Sequence, residues 1–138
     1  MQDRFLSVVH IVLLSCAAIS LAGCGTGEEK YIPTETTARE AVDAALTAWK
    51  SDQAHGTIKT FAVPIDTFDA RWQAGKKLET FEFVREEQSD GHRKFVVNMK
   101  LTDDKAAEEV TYLVVGNDPL LVFRQQDYDK ASGMGGGK

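Results

Sequence analysis

Thiols, histidines and prolines are scarce in this sequence, and each scarcity removes a class of answer. The two cysteines, Cys16 and Cys24, both lie near the start, so most of the chain has no disulfide framework and no thiolate metal site. The three histidines, His10, His55 and His92, fall on separate segments without the spacing of metal ligands. No G-x-S-x-G elbow is present, and the terminal "GGGK" lacks the Ser or Thr and the following helix that a phosphate loop needs. A net charge of −5 argues against nucleic acid as a partner and against general attraction to anionic lipid. The one long, largely apolar run is confined to residues 5–21.

That run follows Arg4 and ends on Ala22 and Gly23, the order of a secretory signal: charge, apolar stretch, small-residue cleavage site. Ser7, His10, Ser15 and Ser20 interrupt it, and it falls short of the ~20 apolar residues of a membrane span. Leu21-Ala22-Gly23-Cys24 then resembles the lipobox of bacterial lipoproteins at all four positions. The resemblance implies cleavage between Gly23 and Cys24, diacylglyceryl on the Cys24 sulfur and palmitate-type acylation of the new amino group. Its partner is then membrane lipid, because two or more chains hold a protein stably where one does not. It also implies a cell-envelope address. Gly25 stands where enterobacterial lipoproteins retained at the inner membrane carry Asp, so the outer membrane is favoured where the cell has one. Cys16 leaves with the signal, and the mature chain folds without a disulfide.

The reading divides the chain into a signal (1–23), a lipidated tether (24–35), a folded domain (36–129) and a Gly-rich tail (130–138). Thr37 and Glu40 have capping-box spacing. Ala38, Ala41, Val42, Ala45, Leu46 and Trp49 then recur on one helical face, with Gly56 as the expected stop. After Pro64, a short helix capped by Asp66 or Thr67 is expected, carrying Phe68 and Trp72 and ending at Gly75. From Leu78 the period changes. "LETFEFVREEQ", "HRKFVVNMKL", "EVTYLVV" and "LLVFRQQDYD" read as four strands, the first two joined across Asp90-Gly91.

These elements predict an α+β fold: an N-terminal helix and a short second helix packed on a four-stranded antiparallel meander. The order "AVDAALTAWKSDQ", "FDARWQAGKKLETFEF", "LLVFRQQD" resembles small cystatin-like or nuclear-transport-factor-2-like domains on bacterial lipoproteins. That superfold includes isomerases, dehydratases and assembly modules, so the resemblance implies a shape rather than an activity.

Enzymes of that shape place an acid or base between helix and sheet. His55 reads as a cation at a helix end, His92 as an exposed residue after a turn and Asp66 as a helix cap. Asp69 reads as a helix-surface carboxylate or one at a cavity mouth, and Asp127 as a partner for Arg124 or for solvent. No catalytic set, cofactor or metal is assigned. The sequence favours a non-enzymatic interaction or assembly module, partnered by an envelope protein or by a second copy through Leu113, Val115, Leu120 and Val122. The alternative is a pocket protein, binding a small apolar ligand or acting as an isomerase. It requires a cavity of at least ~300 Å³ between helix and sheet, with Trp49, Asp69, Trp72 and Phe83 as candidate lining.

Overall fold

The structure, a computed structural model, describes residues 31–87, 89 and 91–134, and the first of these are firmly held. The expected signal segment, Cys24, the expected tether up to residue 30, Asp90 of the expected hairpin turn and residues 135–138 lie outside the described residues. Pro33 is fully buried. The Tyr31 carbonyl accepts from Gly116 N–H at 2.9 Å, and the Pro33 carbonyl accepts from Arg93 Nε at 3.1 Å. Gly116 is required at this junction: its φ is +79°, and a Cβ there would sit 2.9 Å from the Pro119 carbonyl oxygen.

Helix α1 spans Glu35–Lys50, and its six predicted face residues are all buried. Its ends differ from expectation. Thr34, not Thr37, is the N-cap: Thr34 Oγ1 accepts from Thr37 N–H at 3.1 Å. The earlier start places Glu35 in the first turn, where a carboxylate meets the positive end of the helix dipole. The helix stops at Asp52, not Gly56. Asp52 takes φ 62°, its N–H reaches the Trp49 carbonyl, and Gln53 N–H reaches that of Ala48. This is the double hydrogen bond that closes a helix over a left-handed residue, a conformation Asp tolerates better than most.

The remaining elements are β1 (Thr57–Ile58), β2 (Ile65–Phe68), α2 (Ala70–Gln73), β3 (Leu78–Glu87), β4 (Arg93–Leu101), β5 (Glu108–Val115), β6 (Leu120–Arg124) and α3 (Gln125–Ala131). The α+β class and the antiparallel succession of β3 to β6 match expectation. The sheet itself is six-stranded and mixed, in the order β1-β2-β6-β5-β4-β3, with β2 parallel to β6. The four-strand antiparallel description is therefore corrected. Ile65 and Thr67 are buried inward while Phe68 is 41% exposed, a strand alternation too short to stand out as a period. Asp66 lies on this strand, accepting from Thr57 Oγ1 at 2.6 Å, and caps nothing. The cap of α2 is Asp69, and Gly75 (φ +83°) ends that helix as predicted.

Alpha-helix α1 lies across one face of the sheet, packed on Ile65, Phe95, Val97, Met99, Val114, Leu120 and Val122. Trp49 is 1% exposed, and a buried side chain of that size contributes roughly 1.5–3 kcal/mol. Leu120 and Val122 thus belong to the core. Leu113 and Val115 pair with Phe123 and Leu121 on the opposite face, so the predicted dimer surface mixed two faces. A one-residue offset in register reverses a strand's faces. The last strand also ends sooner than expected. At Arg124 the chain turns into α3, whose Tyr128 packs edge-on against Phe123 at 5.3 Å. Phe123 in turn stacks on Phe68 at 4.3 Å.

Candidate functional site

Asp69 is 4% exposed and sits where β2 becomes α2. Its Oδ1 accepts from Arg71 N–H at 2.9 Å, the N-terminal cap, and from Arg71 Nε at 3.3 Å. Its Oδ2 accepts from Arg71 Nη2 at 3.1 Å and from the Tyr112 hydroxyl at 2.7 Å. Arg71 extends further, to Glu108 at 3.0 Å and over the Trp49 ring at 5.8 Å. Burial opposes its charge, and Asp69, Tyr112 and Glu108 outweigh that burial, holding the guanidinium above its ordinary range. Burial pushes the Tyr112 phenol well up, the Asp69 charge adds to this, and Arg71 partly opposes both.

A second carboxylate repeats the arrangement. Asp127 accepts from Arg124 Nε and Nη2, each at 2.8 Å, and from Ala70 N–H at 3.0 Å. Arg124 Nε also lies 4.0 Å from Asp69. The pairing of Asp127 with Arg124 was one of the two expected outcomes. Together the two carboxylates tie the start of α2 to the start of α3, to Tyr112 within β5 and to the end of β6. A bidentate Arg–carboxylate fork is the strong form of such a pair.

Two clefts open around this network. One, of about 340 Å³, is walled by Arg71, Glu108, Thr111, Arg124, Gln125 and Asp129. Its charges are mixed, so it suits a polar surface rather than a simple anion. The other, of about 380 Å³, lies between the end of α1 and α2 and is walled by Trp49, Asp52, Gln53, His55, Trp72 and Lys77. The Trp49 and Trp72 rings stack there at 5.5 Å and 9°. Both indole N–H groups are already used, Trp49 on the Lys76 carbonyl at 2.7 Å and Trp72 on the Gln53 carbonyl at 2.9 Å. Among the described residues, no three His, Cys, Asp or Glu side chains form a metal-ligating group.

Of the four candidate lining residues, Trp49 and Trp72 share a cleft. Asp69 lies behind Arg71, linked to Trp49 through that guanidinium. Phe83 is elsewhere, on β3 between Phe81 and Phe95 and beneath Arg39 at 4.8 Å. Neither His55 nor His92 is the exposed residue expected. His55 packs edge-on against Trp72 at 5.4 Å, and His92 Nε2 meets the Tyr128 hydroxyl at 2.8 Å. Both were misjudged because their partners come from distant segments. Sequence reasoning also missed Arg71, Tyr112 and Arg124 as a group. One signal was present: Arg124 follows Leu120 and Val122 at the same alternation, which puts a charge at an inward strand position.

No family model, curated protein or solved structure matches this chain. The polar network limits which chemistry its own residues leave open. Asp69 receives four hydrogen bonds and Asp127 three. A general base needs a lone pair within reach of a substrate proton. Asp69 uses all of its roughly four acceptor sites, and Asp127 three, on holding two helices and a sheet together.

Proposed function

We propose that this chain is a lipid-anchored envelope protein whose α+β domain binds another protein, without chemistry of its own. The observation that carries the proposal is Leu21-Ala22-Gly23-Cys24 at the end of the apolar run. Cleavage before Cys24 and acylation of that residue fix the domain to a membrane, with the outer membrane favoured by Gly25. The occupied carboxylates support the binding role: each acid weighed as a base inside the fold already serves the structure. The antiparallel succession β3 to β6 under α1 supports the cystatin-like resemblance, and the β1–β2 pair is an addition to it.

The pocket alternative asks for a carboxylate inside a cavity between helix and sheet. Asp69 comes nearest to that place, but Arg71 and Tyr112 cover both of its oxygens. Cys24→Ala tests the anchor. Intact mass is expected to lose the lipid, and the protein to leave the membrane fraction. Membrane retention of that variant with the Gly23–Cys24 bond uncleaved would reject the proposal in favour of a membrane-spanning anchor.

A further inference from the structure

From the way the chain leaves the domain, we infer how the domain stands on the membrane: the end bearing residues 31–33, the start of β4 and the β5–β6 turn rests on the lipid headgroups, and the Trp49–Trp72 cleft points away. The inference rests on the anchoring at Cys24 proposed above. Its own observations are the fixed exit of the tether and the length of the sheet.

The exit is fixed because Pro33 is fully buried and the carbonyls of Tyr31 and Pro33 are held by Gly116 N–H and Arg93 Nε. No slack is gained by peeling these residues off without breaking both bonds and exposing the proline. Only residues 25–30 separate Cys24 from Tyr31. Seven Cα steps extend to at most about 25 Å, and as a coil they average about 15 Å. The domain is longer than this. Strand β4 starts at Arg93, beside the exit, and its nine residues carry the chain about 27 Å to Leu101 at roughly 3.4 Å per residue. The connection 102–107 continues beyond that point.

An inverted domain would need a tether running past the whole sheet and around the 102–107 connection. The available chain is too short even when fully extended. The Trp49–Trp72 cleft borders Lys76 and Lys77, next to the end of the sheet where Leu78 pairs with Leu101. The Arg71 cleft runs from Glu108, which pairs with Met99, to Thr111 and Arg124, which lie level with Val96 and Phe95 near the start of β4, so it opens on the flank of the sheet. The Trp49–Trp72 cleft therefore belongs to the half of the domain barred from end-on contact with lipid and remains open to a partner in the aqueous compartment.

At the exit itself Tyr31 is 60% exposed. An aromatic ring with a polar tip suits the headgroup layer. Arg93, beside the exit, is paired with Glu86 at 3.6 Å, and tether length sets the orientation.

The test uses the full-length lipidated protein in vesicles of phosphatidylethanolamine and phosphatidylglycerol carrying a headgroup-bound nitroxide quencher. With Cys24 acylated, a single introduced cysteine can be labelled. A fluorophore at Asn117→Cys, beside the exit, is expected to be quenched several-fold more strongly than one at Ala106→Cys. Equal quenching, or stronger quenching at position 106, overturns the inference. Inserting about 15 Gly/Ser residues after Gly27 lengthens the flexible chain and is expected to remove the difference. A difference that survives the insertion overturns the tether-length argument. Intact mass and vesicle co-sedimentation are measured on the same samples. Loss of the lipid mass or of binding identifies failure of the anchoring, whereas a lipidated, bound protein with the wrong quenching order identifies failure of the orientation alone.

Discussion

Asp69 has an ordinary address in the sequence, between an aromatic and an alanine, and an unusual one in the fold. Arg71 and Tyr112 close over it, and Arg124 stands within ion-pair distance. Removing one partner of a buried ion pair leaves an uncompensated charge, which costs about 3–5 kcal/mol. Asp69→Ala should lose that much stability in urea denaturation, with the Arg71 side chain released. A loss of less than about 1 kcal/mol would place Asp69 among surface pairs. Asp127 makes a prediction in acid. Burial alone would raise its pKa, but hydrogen bonds from Arg124 and Ala70 and the charges of Arg124 and Lys130 outweigh this, holding it below the ordinary 3.8. The folded state therefore binds this proton less readily than the unfolded state. Its stabilising contribution is present above about pH 3.8 and is lost as the pH falls through the lower folded value. Glu86, raised by burial and by Glu35 beside it, acts in the opposite sense. Comparing Asp127→Asn with the parent at each pH isolates the Asp127 part. The variant's urea midpoint should fall less steeply in acid, and parallel curves would show that the pair carries no pH dependence.

The elements divide by how local their causes are. The buried face of α1 was legible because six residues repeat at helical spacing within one segment. Its ends were harder. Thr34, Thr36 and Thr37 all resemble caps, and only Thr34 receives the Thr37 amide. Thr34→Ala should cost about 1 kcal/mol of stability. Thr37→Ala should cost less, since the Thr37 hydroxyl only accepts from Thr34 Oγ1. The reverse order of denaturation midpoints would return the helix start to Thr37. Strands β3 to β5 were legible by alternation between turns. Strand β2 was not, because four residues beside a proline carry too few positions to define a period, and its partner β6 lies far along the chain. The same distance hid α3. "RQQDYD" prolongs a strand on paper, and only packing of Tyr128 on Phe123 and the Arg124–Asp127 fork fold it back.

In the whole molecule, β6 is the strand whose surroundings changed most. A four-strand meander would leave it at an edge, with outward amides free to exchange. Here β2 covers that edge, and Leu120 N–H is held by the Pro64 carbonyl at 2.9 Å. Amide exchange should show protection at Leu120 and throughout residues 121–123. Rapid exchange at alternate positions of β6 would remove β2 from the sheet. The parallel pairing also positions the candidate site. It brings the end of β2, and so Asp69, alongside the end of β6, and so Arg124. Sequence by itself determined the α+β class, the apolar helix face, the turns and the signal-like start with its Cys24, because each depends on neighbours a few residues apart. Tertiary structure alone decided the mixed sheet, the Asp69–Arg71–Tyr112 network and the closing of the Trp49–Trp72 cleft between α1 and α2. Those features join segments through pairings and buried charges, and a pairing leaves no period in either partner.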